Sequence, residues 1–331
     1  MPKEIRADGL SYFPRPAGAE GGIAYKSREE MCPLLLRMLD ASGGLDTFRR
    51  YRGVVITGRI GGWALLKTAL LARNFRPWRG PFVHLRGGFG IDFVNEYVET
   101  YPLPRPRDVG VRDGADCRIV SVDSGEVLQR SVVSRADFAT KFYWNTIRCA
   151  YMIGYSVWNY FQMPFLYARR GFECEEIEPR ASFGRMFRRL RVTSPATLHS
   201  HGRQTICWVD PDSGLIDHFS YHLEIGGWYS RFNHYLSDYQ SFDGIVVAGR
   251  RRAFHRAEPF VRIRRHLDWC FAAMDGLVER AEFIVPGAEA DLMAAPPQRE
   301  ERLAWWLRSF IERLGKRDLA APRRLLGEPR E

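Results

Sequence analysis

Apolar and polar residues alternate through most of the chain between residues 53 and 258. From residue 53 the runs GVVITGRI, PFVHLRGG and GIDFVNEYVETYPL read as strands. CRIVSVDSGEVLQRSVV (117–133) is two alternating runs around Asp-Ser-Gly, the signature of a hairpin. Alternation resumes in ECEEIEP, FGRMFRRLRVT, QTICWVD, GLIDHFSYHLEIGG, SRFNHYLSDYQSFDG and IVVAGRRRAFHR. Gly, Pro or Asp bounds each run, which predicts a long antiparallel meander.

Helical spacing occurs in fewer places. SREEMCPLLLRMLDASGG (27–44) opens on Ser27, has Glu30 at the capping-box position and ends in Gly-Gly. DTFRRYR (46–52) predicts a second short helix. Residues 141–163 predict a long apolar helix that stops at Pro164. Arg148, Asn145, Asn159 and Gln162 interrupt it, whereas a bilayer span needs about 20 predominantly apolar residues. It therefore reads as a buried helix, with no membrane partner. WALLKTALLARN fits helix or strand equally. Past residue 258, HLDWCFAAMDGLVERA fits a helix or a strand–helix join. An amphipathic helix follows Pro296 and Pro297, with Leu303, Trp306, Leu307, Phe310 and Leu314 on one face. Trp305 and Trp306 would suit a homodimer contact.

The expected fold class is mainly β (α+β). It has a lead-in with helices over 1–52, an antiparallel region over 53–258 around helix 141–163, and a helical extension over 259–331 packed on the same domain.

Charge changes this picture little. The chain has 331 residues and a formal net charge of +10, from 49 basic and 39 acidic residues. Lys occurs only at positions 3, 26, 67, 141 and 316, so nearly every cation is Arg. The densest clusters are Arg185/Arg188/Arg189/Arg191, Arg250–Arg252 and Arg262/Arg264/Arg265. No nucleic-acid-binding motif accompanies them, and solvated strand faces explain them more simply. Cys32, Cys117, Cys149, Cys174, Cys207 and Cys270 are scattered without a C-x-x-C pair. With no apolar signal core in MPKEIRADGLSYFPRP, the expectation is reduced thiols in a cytoplasmic protein.

Acidic residues and histidines crowd into CWVDPDSGLIDHFSYHLEI (207–225). Counted from Asp210 as a calcium loop, position 6 is Leu215 and position 12 is Tyr221, so an EF-hand is excluded. Asp210 and Asp212 read as turn chemistry. Strict alternation then places Asp217 with Leu215, Phe219 and Tyr221, and His218, His222 and Glu224 on the other face. His199 and His201 stand nearby in LHSHGRQ. A cupin-type metal site would need G-x(5)-H-x-H-x(3,4)-E, but Gly202, Arg203 and Gln204 follow His201. No metal site is expected, and a His-dependent metalloenzyme stands as a secondary alternative.

The succession from SVVSRADF through WNTIRCAYMIGYSVWNYFQMPF and QTICWVDPDSGLIDHFSYHLEIGG to HYLSDYQSFDGIVVAGRRRAFHR covers roughly 115–256. It resembles a bacterial family of largely unknown function and, more widely, the lipoprotein-carrier half-barrel superfamily. Ala248-Gly249 stands where a Pro is usual after the Asp-Gly-Ile element. The resemblance implies an antiparallel half-barrel with a central plug helix. The violacein-pathway enzyme that rearranges a tryptophan-derived imine has this architecture, and a β-carboline-forming Pictet–Spengler enzyme of actinomycetes is a further relative the resemblance suggests.

Two functions fit. A carrier would hold a hydrophobic ligand against Trp144, Tyr151, Tyr155, Trp158, Tyr160 and Phe161. An enzyme would use the same cavity for a small aromatic amine or amino acid. No P-loop, dinucleotide fingerprint or G-x-S-x-G is present, which leaves acid–base chemistry without a cofactor. The richest candidate stretch is HLRGGFGIDFVNEY (84–97), read as a hairpin joined by GGFG with His84 and Arg86 close to Glu96. Glu96 would be the base and His84 its partner. Arg73 and Arg86 would hold an acidic substrate, with Asp92, Trp158, Asp217, His218 and His222 around it. The expected activity is a Pictet–Spengler cyclisation of a tryptophan-like amine with a small aldehyde. The alternative is a carrier or binding protein for a hydrophobic ligand.

Overall fold

Thirteen strands among the described residues form one antiparallel sheet in the order β6-β5-β4-β3-β2-β1-β13-β12-β11-β10-β9-β8-β7. The strands are β1 (Gly53–Gly61), β2 (Leu85–Asp92), β3 (Tyr97–Tyr101), β4 (Asp108–Asp113), β5 (Asp116–Ser121) and β6 (Val127–Val132). They continue with β7 (Glu173–Ser182), β8 (Arg185–Thr193), β9 (Gln204–Val209), β10 (Ile216–His222), β11 (Arg231–Phe242), β12 (Ile245–His255) and β13 (Met274–Ile284). The computed structural model describes residues 23–62, 85–103, 107–138, 145–182, 184–226, 230–255 and 273–287, all within the compact unit Met1–Pro297. The C-terminal amphipathic helix, Trp305, Trp306, the WALLKTALLARN segment, Arg73, His84 and Trp144 lie outside the described residues.

The helices are α1 (Pro33–Ala41), α2 (Leu45–Phe48) and α3 (Thr146–Phe161). The capping box forms as read, with Ser27 N donating to Glu30 Oε2 at 2.6 Å. It starts only a short 3-10 turn, and Pro33 then opens α1 separately at its first position. Asn145 caps α3 by accepting from Arg148 N at 3.0 Å.

Helix α3 is buried on nearly every side, from Ile147 and Cys149 through Tyr151, Tyr155, Val157 and Trp158 to Phe161. That burial requires a curved sheet. Laid flat, β3 and β10 would stand six strand spacings apart, about 29 Å, against a helix about 10 Å across. Yet α3 packs on β3, and Tyr160 also meets Phe219 of β10, ring centroids 5.2 Å apart. The sheet is thus an open half-barrel with α3 in its hollow. No helix among the described residues is long and apolar enough to cross a membrane.

The two sheet edges differ, and only the β7 edge carries features that discourage further pairing. β6 is exposed along its whole length. β7 is mostly exposed, places Glu173, Glu175, Glu176 and Glu178 at the edge, and has a register shift around Pro179.

Two sequence expectations fail on strand boundaries. GGFG is no turn: Gly87–Gly90 lie inside β2, paired with β1 and β3. The β2–β3 turn is Phe93–Glu96, where Asp92 Oδ1 accepts from Val94 N at 2.8 Å and Asn95 N at 3.2 Å. The second failure is MDGLVERAEFI, expected within a helical extension. It forms β13, a central strand between β1 and β12, with Val278, Ala281 and Phe283 in the core. One of its partners, β1, lies far away in sequence, so tertiary pairing overrides a local period that does not decide. β4, which short-range pattern did not mark, fills the place between β3 and β5.

Gly154 lets α3 approach the sheet. A Cβ there would lie 2.7 Å from both Cβ and Cδ of Arg112 on β4. Arg112 is held in place by Glu96, so it has little room to retreat. Gly154→Val should cost about 1–3 kcal/mol from overpacking, read as a lower urea midpoint; an unchanged midpoint would show that the helix can shift freely in the hollow.

Candidate functional site

Two of the cavities among the described residues flank α3. The larger is a cleft between α3 and strands β1, β2, β3, β12 and β13, about 840 Å³ counted out to open solvent. Its walls are almost wholly apolar: Ile56 and Ile60 from β1, Phe89 from β2, Ile153 and Val157 from α3, Leu277 and Val278 from β13. Gly58 helps shape the floor. It sits where β1 and β13 shift register, and a Cβ there would lie 2.0 Å from the Leu277 carbonyl oxygen.

Arg251 of β12 is the exceptional lining residue. It pairs across the sheet with Leu236 and faces α3, its guanidinium 4.4 Å from the Phe161 ring centroid. It is 7% exposed, and its Nε and Nη1 have no hydrogen-bond partner among the described residues. Burial lowers its pKa to about 10, against the favourable influence of Tyr239 and Tyr160, so it stays cationic at neutral pH. A desolvated cation–π contact contributes about 2 kcal/mol, which offsets only part of a burial cost of several kcal/mol. The other arginine in the wall, Arg59, is neutralised by Glu279 at 2.6 Å.

The second cavity, about 410 Å³, lies across Tyr160 from the first, between α3 and strands β9 and β10. Tyr155, Ser156, Asn159, His201 and Tyr221 give it a more polar wall. Tyr155 Oη and His201 Nδ1 share a hydrogen bond of 2.8 Å, and Tyr151 Oη and His199 Nδ1 one of 2.6 Å. Burial, with Arg135 as a second cause, lowers His201 to about 3. Burial first, then Arg251 and His201, holds His234 well below the ordinary histidine range. Both rings are neutral at physiological pH.

The residues expected to act on substrate do not converge. Glu96 forms an ion pair with Arg112, whose side chain is fully buried, and its carbonyl accepts from Arg112 Nη1 at 3.0 Å. Asp92 is fully buried, salt-bridged to Arg52 at 2.9 Å, and holds the β2–β3 turn. Trp158 Nε1 donates to the carbonyls of Asp92 at 2.8 Å and Asn95 at 2.7 Å, tying that turn to α3. The β10 alternation breaks at an irregular register between Ile216 and His218. Ile216, Phe219 and Tyr221 therefore pack toward the core, while Asp217 and His218 share the other face, joined at 2.8 Å. His218 is stacked between Trp208 at 4.8 Å and Tyr235 at 4.9 Å, away from α3. His222 ends β10 opposite Arg231. Arg86 pairs with Arg59 through the backbone, and its side chain lies outside the described residues. None of the described side chains from that set lines either cavity. Among the described residues no three His, Cys, Asp or Glu side chains gather where a metal could be held.

Alternation did not single out Arg251, His234 or Glu99. Glu99 is enclosed on the face of β3 turned from α3, accepts from Tyr97 Oη at 2.6 Å, and is raised from 4.5 to about 7 by burial. Asp210 does what the turn reading required, its Oδ1 accepting from Asp212 N at 2.8 Å.

No protein family and no curated protein matches the sequence. The chain is similar to a LolA-superfamily protein from Nitrosomonas europaea, with 10% identity over 74% of this chain and 91% of that one and a TM-score of 0.41. It is also similar to a DUF1329-family protein from Desulfovibrio piger, with 10% identity over 76% and 93% and a TM-score of 0.38. A third solved structure, described as an outer membrane lipoprotein-sorting protein domain from Vibrio parahaemolyticus, has 10% identity over 73% and 93% and a TM-score of 0.39. The half-barrel itself stands on this chain's strand order and register.

Two outcomes test these assignments. Glu96→Ala strands the Arg112 cation in the interior and should cost about 3 kcal/mol, seen in urea unfolding; full stability would remove the structural role. For Glu99, the unfolded chain ionises near 4.5 and the folded chain only near 7. The folded state then holds the extra proton between those values, so this group's contribution falls as pH rises through that window and is level above it. The stability of Glu99→Gln relative to the unmutated protein should therefore improve by roughly 3 kcal/mol between about pH 4.5 and pH 7; a pH-independent difference would contradict the assignment.

Proposed function

We propose that the protein binds a hydrophobic small molecule in the cleft between α3 and strands β1, β2, β3, β12 and β13, as a carrier or binding protein. The observation that supports this most is the wall itself. Aliphatic and aromatic side chains from β1, β2, β3, β13 and the buried helix line a cleft open to solvent, to which β12 adds Arg251. Exposed apolar concavities of this kind are the usual setting for ligand uptake. The binding energy would come from the apolar surface removed from water, about 25 cal/mol per Å².

Cyclisation of an aromatic amine is the less supported alternative. Its base, Glu96, is engaged with Arg112, and Asp92 is engaged with Arg52 and the turn backbone. His84 and Arg73 lie outside the described residues. A hydrophobic-ligand site asks less of the molecule, since a shaped apolar wall is sufficient.

The uncharged fluorophore N-phenyl-1-naphthylamine tests the binding reading. It should bind the protein with a blue shift and a rise in intensity. Leu277→Trp, which fills the cleft from β13, should weaken binding at least about tenfold, or 1.4 kcal/mol, with circular dichroism and thermal midpoint retained. Equal binding to both proteins would place the probe elsewhere and defeat this reading.

A further inference from the structure

The three arginines of β12 meet different fates. Arg250 is salt-bridged to Asp275 of β13 at 2.9 Å. Arg252 pairs with Tyr235 across the sheet, on the face where His218 is stacked. Arg251, between them, points the other way, into the cleft. The two carboxylates that β13 offers nearby are already engaged, Asp275 with Arg250 and Glu279 with Arg59. Around Arg251 on the inner side stand Phe161, Tyr160, Tyr239 and His234. All are uncharged at neutral pH. The guanidinium is more than nine-tenths buried, and its Nε and Nη1 donate to no group among the described residues.

Such a group needs an anion, because a charge removed from water is tolerated where it is paired and hydrogen-bonded. The protein supplies none among the described residues, and the cleft is open to one. A guanidinium suits a carboxylate or a phosphate monoester, either of which can accept from several of its donors. The remaining wall, with Ile56, Ile60, Ile153, Val157 and Leu277, suits an alkyl chain.

We propose that Arg251 binds the anionic head of a long-chain amphiphile, an acyl carboxylate or an alkyl phosphate, whose chain fills the cleft. This rests on the hydrophobic-ligand reading and adds the head-group class to it. The apolar wall supplies affinity, while Arg251 supplies discrimination between the acid and its uncharged derivatives.

The test compares the fluorescent fatty acid cis-parinaric acid with its methyl ester, on the full chain and on Arg251→Met. The acid should bind the unmutated protein at least about tenfold more tightly than the ester. In Arg251→Met the acid should weaken until the two agree within about twofold, with the ester unchanged. Arg251→Lys keeps the charge and should retain part of the preference, which tests the proposal even if the methionine variant fails to fold. Stronger displacement of parinarate by hexadecyl phosphate than by palmitate would assign a phosphate head; the reverse order would assign a carboxylate. Equal binding of acid and ester to the unmutated protein would overturn the head-group assignment and leave the cleft reading intact. A preference that survives Arg251→Met would do the same. Failure of both ligands to bind would take down the cleft reading together with this one.

Discussion

The described half-barrel is arranged around a helix that has almost no face left for water. A helix buried on one side needs one apolar stripe, but α3 is enclosed on nearly all sides. Its polar side chains must then find partners inside. Asn159 Nδ2 donates to Tyr155 O at 2.7 Å and His199 O at 2.8 Å, and Gln162 Nε2 to Trp158 O at 2.9 Å. Trp158 donates outward to the β2–β3 turn. The helix is thereby tied to the first half of the sheet through Asp92 and Asn95 and to the second through the loop carrying His199. Those links add to the apolar packing that holds the sheet in its curve.

The same constraint explains the buried ion pair. Arg112 lies beneath Gly154, where only hydrogen separates helix from side chain. A cation so enclosed is tolerated only with a counterion, and Glu96 at the end of the β2–β3 turn provides it. Glu96, Asp92 and Trp158 therefore belong to one structural unit, a turn locked to a helix. Polar residues near aromatic ones suggested chemistry in the sequence. In the fold they answer the needs of a helix removed from solvent.

Much of the architecture was legible because alternation and turn residues are local. The hairpin in CRIVSVDSGEVLQRSVV, the DPDSG turn and the stop of α3 before Pro164 all depend on near neighbours. The failures have one cause, that nothing nearby in sequence settled them. GGFG looks like a turn by composition, yet its glycines lie in a strand whose neighbours crowd close: a Cβ at Gly87 would meet Tyr101 O at 2.1 Å. β13 pairs with β1, more than 200 residues earlier in the chain. One irregular step in β10 reversed the face of Asp217 relative to Phe219. A shift of one residue exchanges every face assignment beyond it.

At Arg251 the order of residues along the strand matters more than their number. Arg250–Arg252 reads as a solvated basic cluster if composition alone is considered. On a strand, however, consecutive side chains point to opposite faces, and a strand with one face toward a core cannot keep three in a row in water. Either the middle arginine or the outer two must turn inward. The inner members of β11 are Phe232, His234 and Leu236, since His234 touches Tyr160 and Leu236 belongs to the core. Their partners on β12 are His255, Ala253 and Arg251. Register therefore selects the middle arginine, and the carboxylates that might have neutralised it already serve Arg250 and Arg59. The net positive charge of the chain says little about its partners; the position of this one charge, in an apolar wall and without a counterion among the described residues, says more.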